Sequence, residues 1–140
     1  MYTLRLPAKL ESLENFRSFV LQTIKGWNIT QEIVPRIELV LEEVLTNIIN
    51  YAYSTGEGDM EVKCTLLNKH DKLCFVIQDW GHPFNPLTEN SPDLSGDLFE
   101  RRIGGLGVFL IRKMVDELDY RREEGKNILK LCMKIKSENL

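Results

Sequence analysis

The apolar positions of the chain are most regular between residues 37 and 53, IELVLEEVLTNIINYAY. At about 100° per residue, Ile37, Val40, Leu41, Val44, Leu45, Ile48 and Ala52 fall on one broad arc, which predicts a long amphipathic helix. The helix is expected to run from residue 31 to 53, with Thr30 as its N-cap and Pro35 in its first turns or at its true start. Before it, Leu13, Phe16, Phe19, Val20 and Ile24 repeat at helical spacing between Leu10 and about Gly26. Weak alternation over residues 2–6, closed by Pro7, reads as an edge strand. Residues 60–67 and 72–78 read as two strands of a hairpin joined by Asn68-Lys69-His70-Asp71. Helical spacing returns over residues 108–118, where Val108, Ile111, Met114, Val115 and Leu118 share a face. A closing hairpin over 120–123 and 127–135 turns at Glu124-Gly125-Lys126, and the KSENL tail is expected to fray.

This order, β-α-α-β-β-loop-α-β-β, predicts an α+β two-layer sandwich. Its sheet would be mixed but mostly antiparallel, with three helices covering one face. The absence of βαβ alternation argues against a Rossmann fold. Residues 85–103 break the pattern with Pro86, Pro92, Gly96 and scattered acids. A connection that long inside a compact domain is usually functional or mobile.

Composition narrows the picture only a little. A chain of 140 residues, 43% hydrophobic and 28% charged, fits one ordinary soluble globular domain. A net charge of −3 argues against direct binding of nucleic acid. No apolar run reaches membrane-spanning length, and the first residues lack the apolar core of a signal peptide or anchor. Cys64, Cys74 and Cys132 lie in strand-like contexts without C-x-x-C spacing. They read as buried, reduced thiols of a cytoplasmic protein, not as a zinc site.

Three places carry candidate chemistry. Glu43 and Asn47 are four residues apart, so they stack on a narrow polar stripe with Arg36 and Asn50. A carboxylate and a carboxamide one turn apart can serve as proton acceptor and oxygen ligand for a hard cation. Taken alone, such a pair is more often a solvated helix face. Asp79-Trp80-Gly81-His82-Pro83-Phe84 reads either as a simple turn or as a carboxylate for an exocyclic amine, with Gly81 leaving room for a flat base. Gly104-Gly105-Leu106-Gly107 opens a helix and is equally a hinge or an anion cradle. The lysine pattern of a Walker A loop is missing, and His70 and His82 lack the partner spacing of a metal site.

Together and in this order, Glu43-x-x-x-Asn47, Asp79-x-Gly81-x-Pro83-Phe84 and Gly104-Gly105-Leu106-Gly107 resemble the N, G1 and G2 boxes of the GHKL (Bergerat-fold) ATPases. The resemblance runs from about Ile33 to Lys134. Within that superfamily the chain is most similar to the stand-alone anti-sigma-factor serine/threonine kinases. It implies a single histidine-kinase-like ATPase domain over residues 1–140, with ATP and Mg²⁺ as cofactors and an ATP lid over about residues 85–103. By the same resemblance Glu43 would be the catalytic base, and Asn47 would coordinate Mg²⁺ beside the ATP phosphates. Asp79 would read the adenine amino group and Gly81 would line the base. Gly104, Gly105, Leu106 and Gly107 would cradle phosphates, with Arg101 and Arg102 reaching for the γ-phosphate. The implied partners are an anti-sigma-factor antagonist, as phosphorylation substrate, and a sigma factor.

The chain departs from the family pattern at two places. Where relatives often have an adenine-proximal Thr on a late strand, the nearest residues are Asn127 and Lys130, and Tyr51 stands where some relatives carry His. Two other readings compete. One is an ATP-binding switch module with little phosphotransfer; the other is the catalytic partner of a histidine-kinase-type regulator. Helix one and strand 2–6 would support a homodimer, although both serve equally well as core.

Overall fold

A computed structural model describes residues 2–54, 57–67, 69, 71–83 and 109–135. Strand β1 is Tyr2–Pro7, followed by a 3-10 turn at Leu10–Ser12 and helix α1, Leu13–Gly26. A second 3-10 turn, Gln31–Ile33, leads into α2, Val34–Tyr51. Strands β2, Asp59–Leu67, and β3, Lys72–Asp79, come next. Residues 109–114 are helical (α3), and β4, Glu117–Glu123, and β5, Lys126–Lys134, complete the order.

The five strands form one sheet in the order β1-β2-β3-β5-β4. Every neighbouring pair is antiparallel, so the expected mixed sheet is antiparallel throughout the described residues. Strand residues alternate between the two faces. Phe75, Ile77 and Asp79 of β3 and Leu129, Leu131 and Met133 of β5 share the inner face. Against it pack Phe16, Val20 and Ile24 of α1 and the whole predicted arc of α2, with Ile111 of α3 alongside. The two-layer α+β sandwich read from the sequence is what forms.

Three expectations need correction. Thr30 makes no side-chain capping bond, and Gln31–Ile33 winds as a 3-10 turn before α2 begins at Val34. Pro35 therefore lies in the first α-helical turn, where its missing N–H has no partner to lose. The late helix ends at residue 114, well short of 118. Asp116 donates its N–H to the Cys132 carbonyl at 2.9 Å and accepts the Lys134 N–H at 2.7 Å. β5 thus pulls the chain into β4, and Leu118 enters the core from a strand opposite Leu131. The β4–β5 turn needs only Glu124 and Gly125, both at positive φ (51° and 79°), as a two-residue hairpin turn requires.

The third correction concerns the cysteines. Cys74 and Cys132 lie directly opposite one another on β3 and β5 and are joined as a disulfide, Sγ–Sγ 2.17 Å. Only Cys64 is a free thiol, and burial pushes it up to about 12. A separation of 58 residues carries no local spacing signal; strand register alone makes the pair. Closing a loop of that length stabilises the fold by about 4 kcal/mol in the chain-entropy account. Reduction is therefore expected to lower the thermal midpoint by on the order of 10 °C, measured by melting with and without dithiothreitol. An unchanged midpoint, with both thiols shown free by alkylation, would remove the bond's structural role.

No helix among the described residues is long and apolar enough to cross a membrane.

Candidate nucleotide site

The site begins where β3 ends. Asp79 is on the inner face and only 3% exposed, so its carboxylate is taken out of water beneath the helices. Burial pushes its pKa up, and the Asn127 amide, the Gly81 N–H and the Arg122 guanidinium partly offset this. Gly81 N and Asn127 Nδ2 each donate to Oδ1 of Asp79 at 2.9 Å. The Asn127 amide also donates to the His82 carbonyl at 2.6 Å and accepts the Tyr120 hydroxyl at 2.6 Å. Tyr120, Asn127 and Asp79 therefore form one connected group across β4, β5 and β3.

A cavity opens beside that group. Val44, Ile48, Ile77, Ile111 and Leu129 make its apolar walls, and Asn47, Asp79, Tyr120 and Asn127 supply the polar positions. Asn47 is 5% exposed, whereas Arg36 and Asn50 on the same predicted stripe are exposed. The solvated-face alternative thus fails for Asn47, which belongs to the cavity wall. Glu43, one turn earlier, is half-buried. Burial first, and the neighbouring Glu42 charge second, push its carboxyl above the usual range. The stripe on α2 so places a buried carboxamide in the cavity wall, while Glu43, a carboxylate of raised basicity one turn earlier, is not among the residues that line it.

The D-W-G-H segment is held by its backbone. The His82 N–H donates to the Ala52 carbonyl at 2.7 Å, and Arg122 donates to the Gly81 carbonyl at 2.8 Å. Tyr53 accepts the Trp80 N–H at 2.9 Å and donates its hydroxyl to the Asp59 carbonyl. Arg5 stacks over the Trp80 ring at 3.9 Å. The expectation that Gly81 leaves room for a base is corrected here. A Cβ on Gly81 would meet the Ala52 carbonyl oxygen at 2.0 Å, so glycine admits the end of α2 rather than a ligand.

Of the two residues nearest the missing Thr, Asn127 enters the cavity while Lys130 is exposed on the outer face. Tyr51 is 46% exposed at the end of α2 and is not a cavity wall. Tyr120, Tyr53 and Arg122 escaped the sequence reading, because only the strand register and the fold bring them to Asp79. Among the described residues no group of three or more His, Cys, Asp or Glu could hold a metal ion. Arg101, Arg102, Gly104, Gly105, Leu106, Gly107 and the lid at 85–103 lie outside the described residues.

The model of the histidine kinase-like ATPase domain matches residues 6–133, nearly the whole chain. The chain belongs to the histidine kinase-like ATPases. Within this family it belongs with the RsbW serine-protein kinases. The Listeria monocytogenes serine-protein kinase RsbW is 30% identical over 131 residues, covering 91% of this chain and 83% of the relative. The Staphylococcus aureus serine-protein kinase RsbW is 26% identical over 129 residues, covering 89% and 81%. In solved structures the fold is similar to the RsbU and RsbW domains of a Mycobacterium tuberculosis protein, with a TM-score of 0.62 at 11% identity. That match covers 96% of this chain and 33% of the other. The Pseudomonas aeruginosa SiaB–SiaC complex gives a TM-score of 0.61 at 12% identity, covering 97% and 90%. Likeness at such identities speaks for the fold alone, and the family rests on the sequence matches. The GHKL reading of the boxes and the membership found here are the same family.

Proposed function

We propose that this chain is an ATP-dependent protein serine/threonine kinase of the anti-sigma-factor type, which phosphorylates an antagonist protein and sequesters a sigma factor. The observation that carries it is the cavity itself. A buried carboxylate with one oxygen unspent on its own fold stands at the end of an apolar slot, with a buried carboxamide in the same wall. The apolar lining suits the faces of a flat base, the carboxylate oxygen suits an exocyclic amine, and the carboxamide suits a hard cation among phosphates. Bound ATP supplies the phosphoryl group, and Mg²⁺ neutralises charge on its oxygens.

The chain's own residues divide the work. Asp79 accepts from the adenine amine, while Val44, Ile48 and Ile77 exclude water from the base. Asn47 offers its carboxamide oxygen to Mg²⁺. Glu43, raised in basicity and one helical turn before Asn47, takes the proton of the attacking hydroxyl. Gly104, Gly105, Leu106 and Gly107 remain the residues proposed for the phosphates, with Arg101 and Arg102 at the end of the proposed lid, 85–103. With a sigma factor as partner, the proposed compartment is the cytoplasm. Strand β1, at one end of the sheet order and with its Tyr2 54% exposed, is offered for a homodimer.

The test is incubation with labelled ATP and Mg²⁺ beside the candidate antagonist, reading transfer to serine or threonine. Binding of both partners without transfer would replace the kinase by a switch module. Asn47→Ala is expected to weaken Mg²⁺-dependent ATP binding by about tenfold, as for one lost contact to a charged group, while affinity in EDTA stays level. Equal ATP affinity of the wild type in Mg²⁺ and in EDTA would remove Asn47 from the metal.

A further inference from the structure

The adenine reading does not say what makes Asp79 selective, and the hydrogen bonds around it bear on that. Asn127 Nδ2 meets two acceptors, Asp79 Oδ1 at 2.9 Å and the His82 carbonyl at 2.6 Å. Turned over, the amide would set its oxygen against both, so its orientation is forced. Its oxygen then faces Tyr120, whose hydroxyl donates to it at 2.6 Å. Asp79 Oδ1 also takes the Gly81 N–H at 2.9 Å. One carboxylate oxygen therefore holds two donors from the fold. The other, Oδ2, takes none of them and is left as the acceptor for a ligand.

We propose that Asn127 is the positioning residue that sets base selectivity in this site, by clamping Oδ1 and so presenting Oδ2 as a fixed acceptor. The proposal rests on the adenine reading above. A base with an exocyclic amine at that point satisfies the acceptor. A base with a carbonyl there sets oxygen against oxygen, in a pocket with apolar walls where neither can turn to water. Without the Asn127 N–H the carboxylate loses a donor across β5 and is free to turn, so amine and carbonyl are told apart less sharply. The clamp is built from neighbouring strands, since Asp79 and Asn127 are direct partners in the β3–β5 register.

The experiment compares two isosteric replacements that differ only in a donor. Wild type, Asn127→Thr and Asn127→Val are titrated calorimetrically with ATP and with GTP, each with Mg²⁺, after melting curves establish that each is folded. The preference for ATP over GTP is expected to fall by about tenfold or more in Asn127→Val, the range for losing a hydrogen bond to a charged group. Asn127→Thr, which keeps a hydroxyl donor, is expected to regain most of it. Should the valine variant not fold, Asn127→Ser against Asn127→Ala gives the same contrast. Tyr120→Phe is expected to keep the preference within about threefold, because two acceptors fix the amide without its hydroxyl. Equal preference in Thr and Val variants, both matching wild type, overturns the proposal. So does loss in Tyr120→Phe with retention in Asn127→Val, which moves the role to the tyrosine. A wild type that binds ATP and GTP alike overturns the adenine reading itself, and is thereby told apart from failure of the clamp.

Discussion

Glu43→Gln is expected to bind ATP normally and to transfer phosphate at least about a hundredfold more slowly, the scale of a lost general base. Glutamine keeps the size and hydrogen bonding of the side chain but cannot take a proton. ATP is held elsewhere in the proposed site, by Asp79, Asn47 and the apolar walls, so binding and rate should separate. The pH profile adds a second readout. Burial and Glu42 raise the Glu43 pKa, and a base works only when deprotonated. Wild-type transfer should therefore fall as pH drops through a value above the usual carboxylate range, and reach a plateau above it. In Glu43→Gln that limb should vanish. Single-turnover transfer to the correct antagonist measures both, and equal rates for wild type and variant would rule Glu43 out as the base.

Gly81→Ala should be the most disruptive single-methyl change among the described residues near the site. Its Cβ would lie 2.0 Å from the Ala52 carbonyl oxygen and 2.6 Å from the carbonyl carbon. Both are backbone atoms at the end of α2, so neither can swing aside as a side chain would. Either the β3 end or the end of α2 must move. The His82–Ala52 bond at 2.7 Å and the Gly81–Asp79 bond at 2.9 Å are both in the path. Overpacking of this kind costs typically about 1–3 kcal/mol and occasionally more, and we place this case at or beyond the upper end. ATP affinity should fall by about tenfold as well, since Asp79 loses a donor that holds its carboxylate. Urea unfolding and calorimetry check the two effects. A variant as stable as wild type, binding ATP equally well, would show that the strand end accommodates the methyl freely.

The two predictions draw on different kinds of knowledge. Glu43, Asn47 and Asp79 are legible in the chain because a helix repeats every turn and a strand end is punctuated by Gly and Pro. The spacing that stacks Glu43 under Asn47 is a local property of α2, and three boxes in order identify the family. The amphipathic arcs of α1 and α2 and the strands of the β2–β3 hairpin are local in the same sense, and the order of the elements implies the two-layer fold. Each arc and strand follows from periodicity within one segment.

What the sequence could not express is contact between segments. The pattern of residues 115–120 serves a helix or a strand, and pairing of Asp116 and its neighbours with β5 decides for the strand. Cys74 and Cys132 read as separate thiols until antiparallel register sets them opposite each other. Gly81 looks like space for a ligand until the end of α2 fills that space. Asn127 is one polar residue on a late strand, and only the β3–β5 pairing places its amide on Asp79. The sequence by itself determined most of the elements, though not all of their bounds, together with the family and the chemical groups available, because those depend on short-range spacing. Tertiary structure decided which oxygen of Asp79 is free, which side chains surround it and which cysteines are joined. Those depend on distances between residues as many as 58 positions apart, for which the chain carries no local signal.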